Sequence, residues 1–402
     1  MSLGLTQAGW TGCFAVEKSP FAFETLAQNF MGQRELAFDW PGWLPCEPMT
    51  TEELLLQHAD HLRDLRGTID LIAGGPPCQG FSFAGHRKLD DPRNHLAEEY
   101  IEVVRLVRPR FLLLENVRGF TYGFHDDSEN PKARTEPYSA KITRKLQELG
   151  YVIYPAMINC ADYGVPQLRI RFVMIAVEEK SLALERLDGR TPFDLVDSYV
   201  GSFREGKGLP TSGEISVKSA LSDLETDGKL LIDCLDSEVS GFRQIDYKPP
   251  CNLTSYQAMS RAGLNGDVPN SLRLVNHRAR TIAFFKNILN TCRRGVVVCA
   301  QDRKRLGIKK QSLTPLSPDR ASSTVTSLPD DMIHYSEPRV LTVREMARLQ
   351  SFPDWFSFHG KYTTGGPLRT QECPRYTQVG NAVPPLVAEA LGQVLYKLGA
   401  QS

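Results

Sequence analysis

The sequence of 402 residues contains no apolar run of about eighteen residues, the length a helix needs to cross a bilayer, and its first residues carry no basic-then-apolar leader. A soluble, cytosolic protein is therefore expected. There is no CxxC pair and no HExxH, and the nine cysteines are scattered and odd in number. Neither a disulfide framework nor a zinc site is indicated, and no metal is expected. Internal repeats and low-complexity tracts are also missing. What remains is a chain with 41% hydrophobic residues, long enough to bury a real core in two domains.

The formal net charge is also missing, since 47 basic side chains balance 47 acidic ones. A zero total argues against a nucleic-acid partner only if the charges are mixed evenly. They are not. Residues 1–270 carry 28 Lys+Arg against 38 Asp+Glu, and residues 271–402 carry 19 against 9. Within 271–320, twelve basic residues face only Asp302 and Asp319. Such a stretch suits phosphate contacts, although a solvated basic face has the same composition.

Short apolar runs alternate with helical patterns through the first part of the chain, as βα units do. Residues 12–17, 69–73, 111–115, 151–158 and 171–177 read as strands. Ser19-Pro20 predicts a helix start, with Phe23, Leu26, Ala27 and Phe30 on one face. Leu96, Tyr100, Val103, Val104 and Val107 predict a second helix, and Ile142, Leu146 and Leu149 a third. An α/β domain with a mostly parallel sheet is expected. From about residue 179 the rhythm fails, which suggests a second, more irregular domain. Near the end, Thr342 and Glu345 have capping-box spacing, and Pro384-Pro385 opens an apolar-faced helix.

The residues that carry chemistry sit at predicted strand ends, where open α/β sheets bind ligands. Gly74-Gly75-Pro76-Pro77-Cys78-Gln79-Gly80-Phe81-Ser82 forms a stiff loop after a buried strand and presents a cysteine at its apex. A lone loop thiol is more often inert, and a nucleophilic role needs nearby positive charge or a base. Glu115-Asn116-Val117 ends the next strand, so Glu115 faces the same pocket as Cys78 if the two strands are neighbours; otherwise it is a cap or an ion-pair member. Gln167, Arg169 and Arg171 alternate along one face at the start of a strand, a pattern that a solvated face shares.

Taken together and in order, these segments resemble the DNA cytosine-5 methyltransferases, especially those of bacterial restriction-modification systems. The resemblance spans nearly the whole chain. The Gly74–Ser82 loop looks like the catalytic motif, Asp91-Pro92-Arg93-Asn94-His95-Leu96 like the segment after it, and Glu115-Asn116-Val117 like the glutamate motif. Gln167-Leu168-Arg169-Ile170-Arg171 resembles the paired-arginine motif, residues 344–353 the penultimate motif, and Gln378-Val379-Gly380-Asn381-Ala382-Val383-Pro384-Pro385 the final one. The resemblance implies that the Cys78 thiolate adds to C6 of a flipped-out cytosine. It also implies that Glu115 meets N3, that Arg169 holds the base and that Arg171 supports the pocket. The methyl donor would be S-adenosyl-L-methionine.

The same resemblance places Glu17 on the donor's ribose and Asp39 on its adenine, with Pro76, Leu96, Asn381 and Val383 lining the donor site. Asp39 is also a plausible turn residue, as is Asn381 beside Gly380. One departure stands out. Glu17 lies too close to Met1 to leave room for the strand and glycine-rich loop that precede this acid in the family. The first strand is thus expected to be missing, and the natural protein to extend roughly 10–20 residues upstream.

The implied fold is a Rossmann-like S-adenosylmethionine-dependent sheet with a smaller, irregular target-recognition domain. Its catalytic domain would be 1–178 completed by 376–402, with target recognition in 179–375. The partner is double-stranded DNA, bound by a monomer in the bacterial cytoplasm at the nucleoid. A cognate endonuclease would act on the same site without binding the enzyme. Two other readings stay open: a tRNA cytosine-5 methyltransferase, whose characteristic Cys-Phe-Thr segment is absent, and a truncated, non-catalytic DNA-binding protein.

Overall fold

A computed structural model of the chain describes all residues except 32–35, 76–94, 124–135, 265, 267, 365–367, 369–370 and 401–402. The predicted catalytic loop from Pro76 onward, with Cys78, lies outside the described residues. The chain opens with helix α1 (Ser2–Gln7), then α2 (Pro20–Phe30), whose Pro20 takes the first helical position after Ser19, and α3 (Thr51–Asp64), closed at its start by a Thr50–Glu53 capping box. Strand β1 (Leu71–Gly74), helix α4 (His95–Val107), strand β2 (Phe111–Asn116), helix α5 (Tyr138–Glu148), and strands β3 (Tyr151–Asn159) and β4 (Ile170–Glu178) follow. Those elements match the periodicity in the sequence within a few residues.

The sheet order is β1-β2-β4-β3. β1 and β2 run parallel, whereas β4 is antiparallel to both of its neighbours. The expectation of a mostly parallel sheet is therefore corrected to a mixed one. The cause is local: β3 reaches β4 through about ten residues that hold a short 3-10 turn (Cys160–Tyr163), too little chain for a parallel crossover. A second correction concerns residues 12–17, which form no strand. Single backbone bonds, Asp39 N–H to the Gly12 carbonyl and Met49 N–H to the Glu17 carbonyl, hold this segment. Among the described residues, no neighbouring strand supplies the ladder that its pattern would need.

Alternation along the central strands separates two cores. Phe111 and Leu113 of β2, with Val173, Ile175 and Val177 of β4, face one side; Leu112, Leu114, Phe172, Met174 and Ala176 face the other, against α4 and α5.

After β4 the chain becomes less regular, as its turn-rich sequence predicts. It runs through α6 (Leu182–Leu187), α7 (Pro192–Gly206), α8 (Val217–Leu221), the hairpin β5 (Leu231–Asp233) and β6 (Arg243–Ile245), and α9 (Ser255–Arg261). Then come α10 (Ala279–Thr291), α11 (Ala300–Leu306), the small parallel pair β7 (Thr314–Pro315) and β8 (Met332–Ile333), and α12 (Val343–Leu349), capped by Thr342 and Glu345 as expected. Finally α13 (Arg375–Asn381) leads into α14 (Pro385–Gly399), which Pro385 opens. Helix α14 returns to the first core, where α1 crosses it closely: a Cβ on Gly392 would sit 2.9 Å from the Cβ of Ala8, and the Trp10 indole donates to the Gly392 carbonyl at 2.9 Å. No helix among the described residues is long and apolar enough to cross a membrane.

Candidate active site

The parity that sorts the cores also places the chemistry. Glu115 continues the Phe111–Leu113 face of β2, and Arg171 continues the Val173–Ile175 face of β4, so both point to the α14 side of the sheet. Glu115 pairs in register with Val173, which makes Arg171 its diagonal neighbour. The result is an ion pair, Arg171 Nε to Glu115 Oε1 at 2.9 Å, with the two side chains only 13% and 15% exposed. Burial pushes the Glu115 carboxyl above its ordinary range, against the opposing pull of Arg171, Arg169 and the chain's amino terminus. A carboxyl in that setting keeps its proton to higher pH than an exposed one does.

The pair opens onto a small pocket that Leu113, Cys160, Val383, Pro384 and Val387 also line. Cys160 is no rival nucleophile, because burial drives its thiol up to about 12. Parallel pairing puts Gly74 of β1 opposite Leu114 of β2, and the chain leaves the sheet at Gly75. A Cβ on Gly75 would lie 2.7 Å from the Glu115 carbonyl oxygen. Glycine is thus required there, and the root of the Cys78 loop is pressed against the glutamate's own backbone. The neighbouring strands that the sequence argument needed are present.

Arg169 behaves differently from Arg171. β4 starts at Ile170, and just ahead of it the Arg169 carbonyl accepts from Cys160 N–H at 2.9 Å, in register with the β3–β4 pairing. The buried Arg169 guanidinium donates to the carbonyls of Val325 (2.9 Å), Gly380 (3.0 Å) and Ala382 (3.2 Å). Gln167, also buried, donates to the Leu349 carbonyl and the Gln350 side chain and accepts from Val325 N–H. Gln350 in turn donates to the Val379 carbonyl at 2.8 Å. Four distant segments, at 167–169, 322–325, 349–350 and 379–382, are tied into one polar knot beneath the turn that carries Val383. Gly380 allows this closeness, since a Cβ there would collide with the Thr326 carbonyl and the Ser327 nitrogen.

The remaining predicted residues are spread more widely. Glu17 is half-buried; one carboxylate oxygen accepts from Ser19 N–H at 2.7 Å, and burial raises its pKa. Asp39 is exposed, and its backbone bonds Gly12. Leu96 is half-buried on α4, and Asn381 ends α13 with an exposed side chain. None of these four lines the Glu115 pocket, whereas Val383 does. Pro76 lies outside the described residues. Gln350 was not singled out from the sequence; it follows directly on α12 as its C-cap, just ahead of Ser351-Phe352-Pro353.

The 344–353 segment is held by buried charges. Arg344 is buried and donates to the carbonyls of Asn270, Pro353 and Phe356; burial pushes its pKa down to about 10. Arg348 is equally buried between Asp223 (2.5 Å) and Asp354 (2.7 Å).

Sequence comparison agrees with this geometry. A type II methyltransferase of Haemophilus parahaemolyticus, M1.HphI, is 30% identical over 403 residues, covering 99% of this chain and 84% of that protein. M.XorII of Xanthomonas oryzae pv. oryzae is 30% identical over 409 residues, covering 99% and 82%. Among solved structures, a DNA modification methyltransferase encoded within an E. coli prophage superposes with a TM-score of 0.64 at 25% identity, covering 99% of this chain and 95% of that one. The S. pombe Dnmt2 methyltransferase shares the fold, with a TM-score of 0.51 at 15% identity. The profile of the family described as C-5 cytosine-specific DNA methylase matches residues 1–397, and the chain belongs to that family.

Proposed function

We propose that this enzyme methylates C5 of a flipped-out cytosine within a specific duplex sequence, as the modification partner in a type II restriction-modification system. Cytosine C5 is too weak a nucleophile to take a methyl group unaided. The Cys78 thiolate adds to C6, forming a C–S bond and pushing electrons toward C5 and N3. Glu115 meets that charge by sharing its proton with N3, and its raised pKa suits the task. Arg171 holds the carboxyl in place, which suits a supporting role in the pocket, and Arg169, which holds the base in this reading, also braces the turn at 380–384. After transfer, a base takes the C5 proton, and the electrons of that C–H bond restore the C5–C6 double bond and expel the Cys78 thiolate. Extrusion of the base exposes C6 to the thiolate, as this class of enzyme requires.

The donor, S-adenosyl-L-methionine, supplies an electrophilic methyl group. The residues fit it: Glu17 is a half-buried carboxylate held by backbone N–H groups, suited to ribose hydroxyls, and Val383 offers an apolar wall beside Glu115. Asp39, Pro76, Leu96 and Asn381 complete the proposed donor set. The catalytic domain comprises 1–178 with 376–402, the region 179–375 recognises the target, and the enzyme acts as a monomer on DNA at the bacterial nucleoid. The cognate endonuclease reads the same sequence without contacting it.

The observation that carries this reading is the Glu115–Arg171 pair at the sheet end where the Cys78 loop takes root. Incubation with duplex DNA containing 5-fluorocytosine and the donor should give a covalent protein–DNA adduct, lost in Cys78→Ser. An adduct that survives Cys78→Ser would remove Cys78 from the role. Methylation-sensitive sequencing of DNA from expressing cells then gives base and recognition site together.

A further inference from the structure

Most of the basic stretch surrounds α10, a helix of 13 residues and so about 20 Å long. One face is accounted for: Phe285, Ile288 and Leu289 pack with Cys292, Val298, Leu313, Ile333 and Val340 in a core of their own. The opposite face is exposed and holds Arg280, Ala283, Lys286, Asn287 and Asn290. These residues recur at spacings of three and four, so they form one stripe along the helix.

The charge around that stripe has one sign. From residue 278 to 318, Asp302 is the only acid, and it is taken by Arg305 at 2.6 Å. Arg278, Arg280, Lys286, Arg293, Lys304 and Lys309 form no ion pair among the described residues. Arg294, by contrast, is used internally on the carbonyls of Leu289 and Tyr335. The helix is also joined to the catalytic side. Its core includes Ile333 of β8 and Leu313, which adjoins β7, and the chain between β7 and β8 contains the Ser322–Val325 segment bonded to Leu168, Gln167 and Arg169.

We propose that α10 is a base-reading helix that lies in the major groove of the substrate duplex. Arg280, Asn287 and Asn290 would meet base edges, while Lys286, Arg278 and Arg293 would contact the flanking phosphates. This rests on duplex DNA being the substrate, as the family assignment holds. A groove about 12 Å wide admits one helix, and arginine and asparagine are the side chains that make paired hydrogen bonds to guanine and adenine edges. Ala283 at the middle of the stripe lets the backbone approach closely. A face meant only for solvent would need neither the asparagines nor the near-absence of acids.

The test uses the full chain, S-adenosylmethionine and a library of duplexes randomised around the methylated site, read by methylation-sensitive sequencing at several salt concentrations. Arg280→Ala, Asn287→Ala and Asn290→Ala lie on the solvent face, where alanine favours the helix, so folding should persist; thermal midpoints verify it. Arg280→Ala and at least one asparagine variant should relax discrimination at one base pair by roughly 5- to 150-fold and leave the other positions strict. Lys286→Ala should weaken binding to all sequences alike and flatten the slope of log K against log salt by about 0.9. An unchanged sequence profile in the Arg280, Asn287 and Asn290 variants, with wild type methylating the same library, would overturn the proposal while leaving the enzymatic reading intact. A wild type that methylates nothing in the library or in genomic DNA would instead remove the enzymatic reading on which it rests.

Discussion

Replacing Arg171 by Gln isolates the electrostatics of the proposed acid. The Arg171–Glu115 contact is 2.9 Å long and mostly shielded from water. Two unit charges about 4 Å apart attract by about 4 kcal/mol at an effective dielectric near 20, and a neighbouring arginine typically depresses a carboxyl by about 1–3 pKa units. Burial already outweighs that depression, because the Glu115 pKa stands above its ordinary value with Arg171 in place. Removing the arginine removes that opposing pull and should raise it further. If a protonated Glu115 is needed at N3, the single-turnover rate of wild type falls as pH rises through the raised pKa. In Arg171→Gln that fall should move to higher pH, on a lower plateau. Stability supplies a second readout. A carboxyl whose folded pKa is raised contributes stability that is complete below its unfolded pKa and lost as pH rises through the folded one. Losing Arg171 enlarges that loss, so the gap in thermal midpoint between wild type and variant should widen from pH 5 to pH 8. A constant gap together with an unmoved rate profile would refute the reasoning.

Three further outcomes follow from the knot and the buried ions. Gly380→Ala should cost about 1–3 kcal/mol and weaken donor binding, because the new methyl meets backbone at Thr326 and Ser327 that a rotamer change cannot move; wild-type stability in urea melts would contradict the close approach. Arg348→Met should destabilise by about 3–5 kcal/mol, since Asp223 and Asp354 stay buried without a cation. His334 is fully buried, and burial holds its pKa below 6.5 despite Glu345 3.5 Å away. It therefore contributes stability that is present above pH 6.5 and lost as pH falls below it. His334→Gln should flatten that part of the acid melting profile, and an unaltered profile would show that other groups carry it.

Much of the catalytic sheet was legible because periodicity reports burial. The runs at 111–115 and 171–177 became β2 and β4, and Pro384-Pro385 did open the last helix. Strand direction was not legible, since an alternating pattern reads the same both ways; the antiparallel setting of β4 is fixed by the short link after β3. Residues 12–17 have a strand's pattern, but pattern supplies no partner. The site was legible in residue types and less so in their division of labour. Arg169 and Arg171 look equivalent two residues apart, and only their tertiary partners separate a brace from a partner of Glu115. Gln350 escaped notice because a buried amide at a helix end differs from an exposed one only by its tertiary partners.

The crossing of α1 and α14 bears on how the protein is made. Its two members are separated by nearly the whole chain, yet Trp10 bonds the Gly392 carbonyl, and Leu3 and Leu5 share a core with Leu391 and Leu395. On a ribosome the first helix must wait, its apolar face uncovered, until the last helix has emerged. Contacts of such long range close late and fold slowly. Methylation would therefore begin only after synthesis of the proposed recognition region is finished, and a nascent chain stalled within that region would carry Glu115 but no closed pocket around it.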